Sequence, residues 1–310
     1  MTAIRWISNQ ELFASFGYAR AIEAIGQLLE RGFDPASDKQ RTFVNFEHGQ
    51  GLVMPSEIGD FAGLKFVTVA AENPKHNLDR IQGIYSLFDS KTLTPLAQCD
   101  GAALTLLRTA SVTAAMLQKL KVAESPKLAI FGSGPQALAH ILSVKAILSP
   151  AAIAIFARNP ESRAELMAGL SEQGIEAVAG TPEMLLAADL IVTATTARQP
   201  LFTLSEIKQT AVIAAVGSHE ADAREVGSDV VAAAQVFVEE LGASLREAGD
   251  VIMAIQDQAI AEAALIEVRD LFGKSQANSV DPTRIRFYKS TGMPWQDLAI
   301  FSQAYSHLKA

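Results

Sequence analysis

The sequence predicts an α/β protein of two domains: an α+β first domain built on short strands, and a second domain built on a doubly wound parallel sheet. Three observations predict this. From Lys127 onward, short apolar runs alternate with stretches of helical period, the pattern of a parallel sheet with helices on both faces. Between residues 42 and 99 the runs are short, β-branched or aromatic, and separated by Gly, Pro, Asn and Asp, which predicts a mostly antiparallel sheet. With 310 residues, 49% of them hydrophobic, the chain can bury two cores.

In chain order, residues 9–32 place apolar side chains at helical spacing (Leu12, Phe13, Phe16, Ala19, Ile22, Ile25, Leu28, Leu29), and Gly32 supplies a C-terminal stop. Strands are expected at 42–46, 51–55, 64–70 and 81–89, and a turn over 89–95 should pair 96–99 back on its neighbour. Helical sequence resumes over 104–120, and 122–126 is the entry linker. Strands then follow at 128–131, 152–156, 175–178, 189–194, 211–216 and 235–238, with helices at 135–148, 160–173 and 181–187. The tail adds a strand from Ile285, a glycine turn at Gly292 and a helix from Trp295 to His307. The expected domains are 1–121, completed by 293–310, and 122–292.

The most informative stretch is the strand Leu128–Phe131 running through Gly132-Ser-Gly134-Pro-Gln-Ala137 into an apolar-periodic helix. Gly132 suits the tight turn, Gly134 lets backbone approach a pyrophosphate, and Ala137 permits close helix–strand packing. The helix N-terminus offers free N–H groups and a favourable dipole to the anion. A second strand begins about 20 residues after the glycines and completes a βαβ unit, so the glycines mark a Rossmann-type dinucleotide site.

Composition narrows the partners. A net charge of −8 without a long basic run argues against nucleic acid and against an anionic membrane surface. The residues Met1 to Glu11 lack the apolar core of a signal peptide, and no apolar stretch reaches membrane-spanning length. A soluble cytoplasmic protein is therefore expected. Cys99, the one cysteine, excludes an internal disulfide and fits a reducing compartment. No metal site is expected.

Several separated motifs together resemble the ornithine cyclodeaminase/μ-crystallin family of NAD(P)-dependent enzymes over nearly the whole chain. They are Arg41 ahead of Leu52-Val-Met-Pro55, Gly63-Leu-Lys-Phe-Val67, Ile81-Gln-Gly83, Asp100-Gly-x-x-Leu-Thr-x-x-Arg108-Thr-Ala110, the glycine turn with Gln136-Ala137, Ala215-Val-Gly217, Leu245-Arg-Glu-Ala-Gly-Asp250 and Lys289-Ser-x-Gly292. The resemblance implies that Arg41, Lys65 and Arg108 hold a substrate carboxylate, with Thr291 beside the substrate, and that Lys65 and Arg108 are catalytic; His219, whose ordinary pKa lies near the working range, is the further catalytic candidate as a proton donor. The chemistry is apt: a guanidinium binds a carboxylate bidentately, and a lysine among Leu64, Phe66 and Val67 becomes a tunable proton donor when buried. On the cofactor side the resemblance sets Gly132, Gly134, Pro135 and Gln136 at the pyrophosphate, and Thr193 or Thr195 near the ribose. It places Val216 and Gly217 beneath the nicotinamide, and Ser290 beside it. Arg80, where the family often has threonine, also lies near the cofactor.

Cofactor choice is read at the end of the second strand. A carboxylate there would bind the ribose diol, but the chain has Ala157-Arg158-Asn159. Arg158, with Asn159 and Arg163 as helpers, suits the 2′-phosphate of NADP(H), so NADP(H) is the preferred cofactor, with NAD(H) usable. The plain alternative is an exposed arginine at a helix start.

One departure bears on the reaction. Ornithine cyclodeaminases carry an aspartate two residues after the Val-Gly pair, where it handles the substrate amine; this chain has His219. The segment from Gly217 to Glu225 resembles the ketimine-reductase branch, although Ala221 replaces its proline. The expected activity is therefore NAD(P)H-dependent reduction of a small cyclic α-imino acid, of the Δ1-pyrroline-2-carboxylate or Δ1-piperideine-2-carboxylate type. The alternatives are ornithine cyclodeaminase, an alanine-dehydrogenase-like deaminase, and a non-catalytic NADP-dependent ligand-binding protein. Family members pair their first-domain sheets across a two-fold axis, which implies a homodimer.

Overall fold

The protein is described here by a computed structural model covering residues 4–273 and 280–309. It divides into two compact units, Met1–Val112 with Met293–Ala310, and Thr113–Gly292.

The first unit opens with β1 (Arg5–Ile7), α1 (Asn9–Ser15) and α2 (Gly17–Glu30), and continues through β2 (Thr42–Phe46), β3 (Gly49–Ile58), β4 (Phe61–Val69), β5 (Ile81–Asp89) and β6 (Pro95–Asp100). Helix α3 (Gly101–Lys119) follows, and the division between the units falls within it. The sheet order is β1-β6-β5-β4-β3-β2, with β1 parallel to β6 and every other pair antiparallel. The helix expected over 9–32 is two helices, because Gly17 takes φ +61° and breaks the backbone while the apolar period runs on through it. Ser8 starts α1 with a reciprocal capping box: its Oγ accepts from the Glu11 N–H at 3.2 Å, and the Glu11 carboxylate accepts from the Ser8 N–H at 2.9 Å. Strand β1 was not expected; three residues are too few to show a period.

The period of two along β4 decides which side chains reach the interior. Gly63, Lys65 and Val67 point into the core, while Leu64 and Phe66 point out. On the neighbouring strands Leu52, Met54, Tyr85, Leu87, Ala97 and Cys99 share the buried side. The opposite face carries exposed Trp6, Val44, Phe46, Leu64, Phe66 and Ile84.

The second unit contains β7 (Lys127–Phe131), α4 (Pro135–Lys145), β8 (Ala152–Phe156), α5 (Pro160–Glu172), β9 (Val178–Ala179), α6 (Pro182–Leu186), β10 (Leu190–Thr193), β11 (Val212–Ala215), α7 (Ser228–Ala233), β12 (Ala234–Val238), α8 (Leu241–Glu247), α9 (Gly249–Gln256), β13 (Leu265–Glu267), α10 (Val268–Phe272) and β14 (Ile285–Lys289). All eight strands are parallel, in the order β13-β12-β14-β11-β10-β7-β8-β9. This is a Rossmann-type doubly wound sheet. The last helix, α11 (Pro294–Lys309), belongs to the first unit and packs on α2 and strands β3 to β5.

Two expectations in this unit change. The strand expected over 175–178 is the two-residue β9, because Gly174 (φ +71°) and Ile175 close α5 instead, through Gly174 N–H to Ser171 O (2.9 Å) and Ile175 N–H to Leu170 O (2.9 Å). Helices α7 to α10 and strand β13 carried no expectation; Gly242 and Gly249 interrupt the helical period over the later part of this segment and read as breakers.

Candidate active site

In the first unit, the inward face of β4 meets α3 and α11 around Lys65. The Lys65 side chain is 1% exposed; its Nζ lies 2.6 Å from Asp297 Oδ2 and donates to Thr105 Oγ1 at 3.2 Å. Arg108, one turn along α3 from Thr105, donates to Gln296 Oε1 at 2.9 Å, and its Nε lies 3.8 Å from Asp297 Oδ1. Neither Arg108 Nε nor Asp297 Oδ1 has a hydrogen-bond partner, although both are buried. Such a pair of unspent groups in a polar interior suits a ligand or water that can bond both. Burial pushes the Lys65 amine down to about 7, against the attraction of Asp297 and helped by the charges of Arg108 and Arg41. Arg41 precedes β2, half-buried, with its guanidinium 5.7 Å from the Phe43 ring centre. Lys65, Arg108 and Arg41 are thus brought into one electrostatic neighbourhood.

Helix α11 enters this cluster at a fixed angle because Asp38 Oδ2 accepts the Trp295 N–H at 2.7 Å and Asp38 Oδ1 accepts the Ser56 hydroxyl at 2.7 Å. Cys99 lies on the same inner face; burial, with Asp297 and Asp100 nearby, pushes its thiol well up and keeps it neutral. It is not an activated nucleophile.

In the second unit the features lie at the carboxyl ends of the strands, where open α/β sheets bind ligands. Gly132 takes φ +117°, and a Cβ there would stand 2.7 Å from Ala194 O. Gly134 is the N-cap of α4; a Cβ on it would meet no atom within 4 Å, and no side chain caps the helix. Pro135 follows at the first helical position, and Gln136 Oε1 is buried without a partner. An open backbone turn ahead of an uncapped helix N-terminus fits a pyrophosphate.

Two wholly buried carboxylates organise the other half of the sheet edge. Glu225 Oε2 accepts Thr193 Oγ1 (2.9 Å) and the Gly217 N–H (2.8 Å), while Oε1 accepts the Thr195 N–H (2.8 Å) and Thr195 Oγ1 (2.6 Å). It therefore ties the end of β10 to the end of β11. Glu239 does the same after β14, accepting Ser290 Oγ (2.9 Å), the Thr291 N–H (2.9 Å) and the Gly292 N–H (2.8 Å). Behind them, Lys289 is fully buried between Asp250 Oδ2 (2.8 Å) and the Ser218 carbonyl (2.6 Å). Asp250 Oδ1 accepts the N–H groups of Glu225 and Val226 at 2.7 and 2.8 Å.

Of the remaining expected residues, Val216 bonds back to Thr193 O through its N–H (2.9 Å) and Thr193 is fully buried, whereas Thr195 is half-exposed. Arg158 is exposed beyond β8; Asn159 caps α5, its Oδ1 accepting from Glu161 (2.7 Å) and Ser162 (3.1 Å). His219 is exposed after β11, and Arg80 is exposed in the loop before β5, in the first unit. Sequence reasoning had no signal for Asp297 or Glu239, and met Glu225 and Asp250 only inside motifs. An aspartate in the first turn of α11 reads as an ordinary helix-start residue; only its flanks, Trp295, Leu298 and Phe301, all buried, distinguish it. Among the described residues, no cluster of three or more His, Cys, Asp or Glu side chains could hold a metal ion, and no helix is long and apolar enough to cross a membrane.

A doubly wound parallel sheet with a glycine turn at its first crossover, in a chain whose first unit holds a buried lysine and arginine, defines the class: a two-unit protein with a Rossmann-type dinucleotide-binding fold. The chain belongs to the ornithine cyclodeaminase/mu-crystallin family, whose sequence pattern matches residues 10–310. It is 31% identical over 267 residues to a Delta(1)-pyrroline-2-carboxylate reductase of Bacillus cereus, covering 84% of this chain and 82% of that protein. It is 29% identical over 302 residues to a Delta(1)-pyrroline-2-carboxylate/Delta(1)-piperideine-2-carboxylate reductase of Azospirillum brasilense, covering 96% and 91%. The fold superposes on Thermococcus litoralis Delta(1)-pyrroline-2-carboxylate reductase, solved with NADH and L-proline, with a TM-score of 0.90 and 25% identity over 99% of this chain and 98% of that one. An archaeal alanine dehydrogenase dimer with bound NAD shares the fold at a TM-score of 0.88 and 19% identity, covering 99% of this chain and 96% of that one.

Proposed function

We propose that the protein reduces a small cyclic α-imino acid, of the Δ1-pyrroline-2-carboxylate or Δ1-piperideine-2-carboxylate type, to the amino acid with a nicotinamide dinucleotide. The observation that carries this is the buried pairing of Lys65 with Asp297 beside Arg108, a cation pair able to bind a carboxylate with a lysine whose proton is loosely held. Arg108 and Arg41 anchor the substrate carboxylate. Lys65 gives a proton to the ring nitrogen, which makes the adjacent carbon electrophilic, and recovers it from solvent. The dinucleotide, when bound, supplies the hydride; the Gly132–Gln136 turn and the α4 N-terminus hold its pyrophosphate. Thr195, half-exposed, is the ribose-side threonine, while Val216, Gly217, Ser290 and Thr291 shape the nicotinamide end. A cyclodeaminase must also manage an amine through oxidation, ring closure and ammonia release; His219 stands where that branch has its aspartate, and a reductase has no such requirement.

The test is turnover. NAD(P)H oxidation should match pyrroline-2-carboxylate or piperideine-2-carboxylate consumption one for one, with negligible ammonia from L-ornithine. Ornithine-dependent ammonia and proline formation without net cofactor consumption would replace this reading with the cyclodeaminase.

Arg158, exposed and without a carboxylate at the strand end before it, favours NADPH over NADH. Arg158→Ala should raise the KM for NADPH by about tenfold, the value of one charge-assisted contact, and leave NADH kinetics unchanged. Equal losses with both cofactors would remove Arg158 from the cofactor site.

The outward face of the six-stranded sheet, with Trp6, Phe46, Phe66 and Ile84 exposed, is a surface that a second copy of the chain would cover, and supports a homodimer. Sedimentation at micromolar concentration should show two chains per particle; a stable, active monomer would refute this.

A further inference from the structure

Lys65 sits in a crowded electrostatic setting. Facing it are Asp297 from α11, Arg108 from α3 and Arg41 from the segment before β2, with the neutral thiol of Cys99 on β6 also near. Tyr85, its cross-strand partner on β5, and Asp38 face Asp297 in turn. The setting thus holds three cations, and Asp297 is the carboxylate in contact with the lysine, at 2.6 Å. Without it, a fully buried ammonium beside two guanidiniums would lose its proton to solvent.

We propose that Asp297 is the positioning residue of this site: it holds the Lys65 ammonium in place and in its charged form, and so sets the pH range over which the lysine can act as an acid. The geometry supports a division of labour between its oxygens. Oδ2 is committed to Lys65, whereas Oδ1 lies 3.8 Å from Arg108 Nε with no hydrogen bond, so one carboxylate orients both cations without neutralising the arginine's remaining donors. Those donors stay available to the substrate carboxylate. Neither His219 nor the strand-end hydroxyls are needed for this role.

The inference rests on the reading of Lys65 as proton donor, and its test separates the two. Lysine labelled with 13C at Cε is followed by NMR through a pH titration, and the Lys65 signal is identified by its loss in Lys65→Arg. In the wild type it should titrate near pH 7, as its burial and partners dictate. In Asp297→Asn the midpoint should fall by about one pH unit or more, since the amide keeps the shape and removes the charge. A lysine acid must be protonated, so the decline of kcat with rising pH should move down by the same amount, about tenfold less activity on the alkaline side. Asp297→Glu, which keeps the charge, should retain the wild-type midpoint. An unchanged midpoint in Asp297→Asn, or a fall in Asp297→Glu equal to that in the amide, overturns the proposal. If the Asn variant does not fold, a wild-type Lys65 signal that is already that of the neutral amine at about pH 6, leaving no ammonium for Asp297 to hold, overturns it equally. If the enzyme turns over no cyclic imino acid, the functional reading fails while the lysine titration still reports on Asp297.

Discussion

Arg108→Ala and Lys65→Met are expected to lower kcat/KM by roughly 10²-fold or more each, the loss of about 3 kcal/mol when a desolvated charge-assisted contact goes and its partner is stranded. The two variants should differ in stability. Removing the Lys65 ammonium leaves the fully buried Asp297 carboxylate without its cation, and breaking such a pair costs about 3–5 kcal/mol, so the Lys65→Met unfolding midpoint should drop markedly. Removing Arg108 leaves behind the neutral Gln296 amide and an Asp297 carboxylate that gives up a 3.8 Å ion pair but keeps Lys65 at 2.6 Å, a smaller penalty. Dinucleotide binding, proposed above for the other unit, should remain measurable in both. Near-normal catalytic efficiency in either variant would exclude that residue from the substrate site.

A pair of glycine substitutions is expected to separate ligand binding from folding. At Gly134 a Cβ meets nothing within 4 Å, so Gly134→Ala should leave the unfolding midpoint unchanged; on the proposed reading the methyl would stand in the path of the pyrophosphate and weaken dinucleotide binding by about tenfold or more. At Gly217 a Cβ would stand 2.2 Å from Thr195 O, 2.5 Å from Thr195 N and 2.7 Å from Glu225 Oε1. Backbone and a clamped carboxylate cannot yield cheaply, so Gly217→Ala should cost about 1–3 kcal/mol of stability and loosen the Glu225 clamp. Calorimetry and a fluorescence titration with NADPH check both. Equal stability losses, or undiminished NADPH binding by Gly134→Ala, would contradict the assignment.

What the sequence made legible was local. The turn Gly132–Ala137 declares itself because strand, glycines and helix are contiguous and each residue type has a steric reason. The side of β4 that Lys65 faces was not legible: its apolar neighbours Leu64 and Phe66 lie on the opposite, exposed face, and Lys65 shares the inner face with Gly63 and Val67. The groups that make these residues chemical are not contiguous. Asp297 meets Lys65 across 232 positions, and Glu239 meets Thr291 across 52. Single acidic residues at such separations carry no period and no spacing, so nothing short of the fold reveals them. The break at Gly17 escaped for a different reason: helices on both sides use the same apolar stripe, and only the glycine's left-handed backbone interrupts it.

The hydroxyls along the edge of the parallel sheet have a polarity that follows from their carboxylate partners. A hydroxyl has one proton to give. Thr193 and Thr195 have given theirs to Glu225, and Ser290 has given its proton to Glu239. Thr193 and Ser290 are buried, so of the three only the half-exposed Thr195 can turn its oxygen toward an arriving group. That oxygen has no proton left to give and already accepts the Ala197 N–H at 3.1 Å, so what it offers is a single remaining lone pair. A sugar hydroxyl arriving at the end of β10 is received there as a donor, and a carboxylate or phosphate oxygen is turned away.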